Sequence, residues 1–205
     1  VFADAVAATA LATSSTDVVA LSAMSLSGGK TIEESRTELV SKVGEKISVR
    51  RIAILENAGP IGYYTHGARI GAVVTLEGGD EDLARDIAMH VAASNPICID
   101  ESGVSAEALE SERRIFSEQA AESGKPPEIV EKMVAGRIAK FLKEVTLVGQ
   151  PFVKDPDQTI GKLLAAAGAK VKSFIRFEVG EGIEKKVENF ADEVRKQIEA
   201  AKKAG

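Results

Sequence analysis

The sequence predicts an α+β protein with two related core subdomains. An antiparallel coiled-coil helical hairpin is inserted in the second, and a C-terminal helix follows. Three observations predict this: an internal repeat, a helix–break–helix stretch that interrupts its second copy, and two β-rich runs that close the repeat units.

The repeat comes first because it sets the frame. Phe2–Thr13 reads FADAVAATALAT and residues 83–94 read LARDIAMHVAAS, so Phe2 matches Leu83, Ala3 Ala84, Val6 Ile87, Ala7 Ala88 and Ala12 Ala93. Further on, LVSKVGEKISVRR from Leu39 matches LLAAAGAKVKSFI from Leu163, with Gly44 opposite Gly168, Lys46 opposite Lys170 and Ile47 opposite Val171. The second offset is larger by 43 residues, which makes an insertion in the second copy.

Each element then follows in order. The opening VFADAVAATALA lacks a basic leader and carries Asp4, so it reads as an amphipathic helix and not a signal peptide. KISVRRIAILE at 46–56 and KVKSFIRFEVGE at 170–181 are rich in β-formers and read as the strands that end the two units. GARIGAVVTLEG adds a strand ahead of the second copy; Gly78 and Gly79 end it and Asp80 caps the next helix. The matching strand of the first copy is expected before Val1. SAEALESERRIFSEQAAE, with Leu109, Phe116 and Ala120 on one stripe, forms a helix capped by Ser105. Gly124 ends it, and Pro126 and Pro127 start a second helix with Val130, Val134, Ile138 (or Phe141), Leu142 and Val145 near one face. In the last helix Ile183, Val187, Phe190, Val194 and Ile198 recur at helical spacing. The expected division is 1–60 for the first core subdomain, incomplete at its front. Residues 61–104 and 149–182 form the two parts of the second, 105–148 the hairpin and 183–205 the C-terminal helix.

Composition narrows the function. The chain has 205 residues, long enough to bury a substantial core. A net charge of −5 with no dominant basic patch argues against direct nucleic-acid binding, and 4% aromatics with no tryptophan supply few stacking platforms. One cysteine, Cys98, allows no internal disulfide and fits a reducing, cytoplasmic setting, where it reads as a buried small hydrophobe. No apolar run approaches the roughly 20 residues that cross a bilayer.

Catalytic chemistry finds little support. His66, in YYTHGARIGAVV, has no serine or cysteine nucleophile in a recognisable motif, and reads as a loop-to-strand junction. GARIG and EGGDED lack the spacing and lysine of a phosphate loop. His90 sits mid-helix between Met89 and Val91 and reads as packed. Two histidines and one cysteine make no metal cluster, so no catalytic residue, cofactor or metal is expected. The remaining chemistry suits recognition: YYTHGAR as an exposed loop, and VGQPFVKDP, where Pro151 and Pro156 stiffen a loop presenting Phe152 and Val153.

KVGEKISVRRIAIL, HGARIGAVVTLEG, IAMHVAAS, SGKPPEIVEKMVAGRIAKF, VGQPFVKDP and FIRFEVGEGIEKK together resemble bacterial translation elongation factor Ts, in order and over essentially the whole chain. The resemblance implies a core of two related subdomains with a coiled-coil hairpin in the second. It implies a nucleotide exchange factor, not an enzyme, that binds the GTPase elongation factor Tu and speeds GDP release by distorting its phosphate and Mg²⁺ site. A homodimer or a 2:2 complex with Tu is an open assembly. Carried over by motif, Val43 and Gly44 of KVGEK resemble the contact with the GTPase domain. His66, Phe152 and Val153, with Lys154 beside them, resemble contacts with the third domain of Tu. The family's N-terminal ubiquitin-associated-like module and its TDFV motif have no counterpart here, and both are expected ahead of Val1. The alternative is a structural dimerisation module without exchange activity.

Overall fold

The computed structural model describes residues 2–122 and 124–183, a mixed arrangement of helices and small antiparallel sheets. The expected C-terminal helix therefore lies outside the described residues, apart from an exposed Ile183.

The first part of the chain is helical. Helix α1 (Phe2–Thr13) buries only Val6 and Ala10. Helix α2 (Val18–Ser22) is capped by Asp17, whose side chain accepts from the amides of Val19 and Ala20. Helix α3 (Ile32–Val43) opens on a reciprocal capping box between Thr31 and Glu34, a device worth about 1 kcal/mol. It ends at Gly44, held in the left-handed region at φ 79°. Val6, Ala10, Leu21 and Ile32 form one core, with Val49 and Ile52 packed on it.

The second part is built on a three-stranded antiparallel sheet in the order β1-β2-β5: β1 Ile61–His66, β2 Ile70–Glu77 and β5 Lys170–Glu178. Gly78 and Gly79, both with positive φ, end β2, and the Asp80 carboxylate accepts from Leu83 N–H at 2.8 Å to start α4 (Glu81–Ser94). Helix α4 folds back onto the sheet. Its Ala84, Ile87, Ala88 and Val91 meet Ala72, Val74 and Leu76 of β2 in the main core. The approach is tight at Gly62, where a Cβ would stand 2.1 Å from the backbone carbonyl carbon of Ala84. Burying each Ile, Leu or Val here contributes about 1.5–3 kcal/mol.

Helices α5 (Ala106–Ala121) and α6 (Pro127–Val145) turn back on each other across Gly124, with the Arg137 guanidinium 5.5 Å from the Phe116 ring centroid. Ser105 caps α5 and Pro127 occupies the first position of α6. Both ends of this pair meet at one place: Ile97 N–H donates to Val145 O (2.9 Å), and Leu147 N–H to Cys98 O (2.9 Å). A two-stranded ribbon, β3 (Pro151–Phe152) and β4 (Asp155–Thr159), leads into α7 (Ile160–Ala166) and then β5.

Three expectations are corrected. Residues 46–56 form no strand. A strand needs a ladder partner, and this run instead commits its side chains to other groups. Arg51 lies 4.6 Å from the Phe177 ring centroid and pairs with Glu181, Arg50 donates to Glu181 O, and just beyond the run Asn57 donates to Leu76 O. Conversely, YYTH is no loop: it forms the last four residues of β1, laddered onto β2 from Tyr63↔Val73 to His66↔Ile70. Cys98 is half-buried, not buried, its thiol donating to Asp100 O.

Candidate partner-binding surface

The two sequence motifs that carry surface chemistry converge on the helix α4 scaffold. Gly62, Tyr64 and His66 point to the α4 side of the sheet, because Gly62 meets Ala84 and side chains alternate along a strand. His66 is the last residue of β1 and is exposed. Its ring stacks on Tyr64 with centroids 6.4 Å apart, and the Tyr64 hydroxyl lies 3.4 Å from Nδ1. The turn beyond it is fixed from two sides. Gly67 takes φ 57°, and Val179 N–H donates to Arg69 O at 2.8 Å, tying the turn to the end of β5. On the opposite sheet face Tyr63 is 69% exposed.

The PFVKD tip sits beside α4 as well. Phe152 is only 5% exposed and belongs to the main core, so the expectation that the loop presents it at the surface is corrected: it anchors the tip. Val153 is 45% exposed, and Lys154 pairs with Asp86 of α4 at 2.5 Å. His90, wholly buried, supports the tip from below. Its Nε2 lies 2.9 Å from Gln150 Oε1, its Nδ1 accepts from Val153 N–H at 3.3 Å, and its ring centroid is 6.2 Å from that of Phe152. Burial holds its pKa below the ordinary histidine value, against the opposing effect of the hydrogen bond it donates to Gln150. Sequence reasoning placed His90 as packed and missed this support.

Val43 and Gly44 belong to a different neighbourhood, at the end of α3. Val43 is 51% exposed, and Gly44 N–H closes the helix by donating to Val40 O at 2.8 Å. The structure thus brings His66 and the 152–154 tip onto one scaffold and leaves 43–44 on another element. Gly168, which the repeat sets opposite Gly44, also follows a helix with positive φ.

Two shallow grooves run along the α5–α6 pair, one floored by Val130, Val134, Ile138 and Leu142. No group of three His, Cys, Asp or Glu gathers to hold a metal among the described residues, and no described helix is long and apolar enough to cross a membrane.

Fold and surface define a mixed helix-and-sheet protein that presents short exposed segments from a helix packed on a sheet. The chain belongs to the elongation factor Ts family, whose family model, Elongation factor TS, matches residues 1–181. It is 59% identical over 202 residues to elongation factor Ts of Thioalkalivibrio sulfidiphilus, a match covering 98% of this chain and 69% of that protein. It is 58% identical over 201 residues to the Methylococcus capsulatus protein of the same name, again covering 98% and 69%. It is 54% identical over 197 residues to that of Legionella pneumophila (strain Philadelphia 1), covering 96% and 68%. Family membership makes its role one in translation elongation.

Proposed function

We propose that this chain binds elongation factor Tu in the cytoplasm and promotes release of its GDP, acting as a nucleotide exchange factor and not as an enzyme. The supporting observation is the shared scaffold. His66 and the Val153–Lys154 tip are surface groups on elements packed to one helix, in a chain of the elongation factor Ts family. In this reading His66, Val153 and Lys154 contact one domain of Tu, Phe152 anchors their tip, and Val43 and Gly44 contact the GTPase domain. Residues 61–104 and 149–182 act as one core subdomain, 1–60 as its relative, and 105–148 as an inserted coiled-coil hairpin.

The mechanism is linkage. A partner that binds the nucleotide-free GTPase more tightly than the GDP-bound form lowers the affinity for GDP, and GDP expels the partner to the same degree. Contacts that are equal in both states add affinity without shifting the equilibrium. The distortion of the phosphate and Mg²⁺ site is therefore the state-dependent part, and the His66 and Val153 contacts supply the hold.

Stopped-flow release of fluorescent GDP from Tu tests the proposal. Release accelerates and saturates with added chain. Unchanged release together with self-association of the chain favours the dimerisation module instead.

A further inference from the structure

His90 lies on α4 below the surface, yet both of its ring nitrogens are committed to the segment that carries Val153. Gln150 donates through Nε2 to Glu144 O at 2.7 Å, which leaves its Oε1 as an acceptor facing His90 Nε2. Nε2 must therefore carry the proton, and Nδ1 is left as the acceptor for Val153 N–H. One neutral tautomer satisfies both bonds. The β3–β4 register is irregular between Pro151 and Phe152, and Phe152 pairs directly with Asp155, so Val153 and Lys154 form the tight connection. The Val153 N–H is partly buried there, and no other acceptor for it is present among the described hydrogen bonds.

We infer that His90 is a positioning residue for partner binding: a neutral imidazole that, by accepting the Val153 amide, sets the conformation in which the exposed Val153 and Lys154 face a partner. This inference rests on the proposed Tu-binding role of that tip. Phe152 fixes the depth of the tip in the core, and the Lys154–Asp86 pair ties its far side to the same helix. His90 fixes the backbone between them. The surface contact is thus specified from beneath by a residue that touches no partner.

The test measures two quantities on the whole chain: hydrogen exchange at the Val153 amide in the absence of partner, and affinity for Tu. Four chains are compared: the native sequence, His90→Leu, His90→Asn and Val153→Asp. Leucine keeps the volume and removes the acceptor. Asparagine can place an oxygen near the Nδ1 position. The expected result for His90→Leu is Val153 exchange faster by about tenfold or more and affinity for Tu weaker by about tenfold, the scale of one buried hydrogen bond. His90→Asn restores both to within about threefold of native. A purely structural role predicts no such rescue, because asparagine is the poorer core residue. If His90→Leu does not fold, the asparagine variant decides: loss of Val153 protection in a folded His90→Asn chain overturns the inference. Unchanged Val153 exchange in His90→Leu overturns it too, as does faster exchange with unchanged affinity while Val153→Asp still abolishes binding. If Val153→Asp binds Tu normally, the contact reading of the tip fails and the positioning role fails with it.

Discussion

Ile97 and Val145 are joined by a backbone hydrogen bond of 2.9 Å, although 48 residues separate them and the α5–α6 pair lies between. Cys98 and Thr146 form a parallel bridge beside it, and Val148 N–H donates to Ile99 O at 3.0 Å. The chain leaves the core and returns to it at the same point. The main core itself draws on β2, α4, Leu147, Phe152 and α7, not on α5.

Removal of the hairpin should therefore leave the core folded. The last turn of α6 must stay, because Leu142 O accepts from the Thr146 hydroxyl and Glu144 O from Gln150. Replacing residues 105–140 by a short glycine linker is expected to retain one cooperative denaturant transition. Its loss would assign the hairpin to the core.

Gly62→Ala tests the packing of β1 on α4. The added methyl meets the Ala84 carbonyl carbon at 2.1 Å and the Arg85 nitrogen at 2.2 Å, both backbone atoms that yield only if the helix moves. Destabilisation of about 1–3 kcal/mol in denaturant unfolding is expected, as for other overpacked sites. Gly71, where a Cβ meets nothing within 4 Å, is the control and should tolerate alanine with a far smaller loss.

His66→Ala should weaken binding to Tu by about 1–2 kcal/mol while thermal unfolding stays nearly unchanged, because the ring is exposed and touches chiefly Tyr64. Titration calorimetry with native and variant chains measures this. Equal affinities would remove His66 from the interface.

Acid should destabilise the fold through His90. Burial lowers its folded pKa below the ordinary 6.5, so the unfolded chain binds the proton more readily. Stability from this group is complete above about pH 6.5 and is lost as pH falls through the folded value. Nearby charges do not reverse the sign: Asp86 is already paired with Lys154. Carboxylates such as Glu34 and Asp100, lowered by hydrogen bonds from Thr31 and Ser102, lose their contribution further down. Denaturant midpoints at pH 7.5 and 5.5 should differ for the native chain and differ less for His90→Asn.

Much of this architecture was legible in the sequence because local chemistry dictated it. Asp80 and Ser105 cap helices where the pattern begins, Gly78 and Gly124 adopt positive φ where it ends, and Pro127 starts α6. What was missed depends on partners distant in the chain. KISVRRIAILE has strand composition, but its arginines are drawn to Phe177 and Glu181, 130 residues away for the Arg51–Glu181 pair. YYTH became a strand because β2 lay alongside it, although its aromatic and β-branched content with Gly67 at the turn carried a hairpin signal. Val6 and Ile87 occupy matched positions and are both buried, yet Ala3 is exposed where Ala84 is buried, since only α4 has a sheet beneath it among the described residues. Of the candidate surface, His66 and Val153 were legible as recognition-type side chains in the YYTHGAR and VGQPFVKDP motifs, whereas Val43 and Gly44 came only from the family resemblance. The burial of Phe152 and the reach of His90 to Val153 required tertiary contacts.

The most direct test of the central claim is the affinity of this chain for elongation factor Tu in two nucleotide states. Titration calorimetry would compare nucleotide-free Tu with Tu saturated with GDP and Mg²⁺. The account predicts binding at least about tenfold tighter to the nucleotide-free form, the lower range of coupling expected of an exchange factor. Equal affinity for the two forms would contradict it, because a ligand that does not distinguish two states cannot shift their balance.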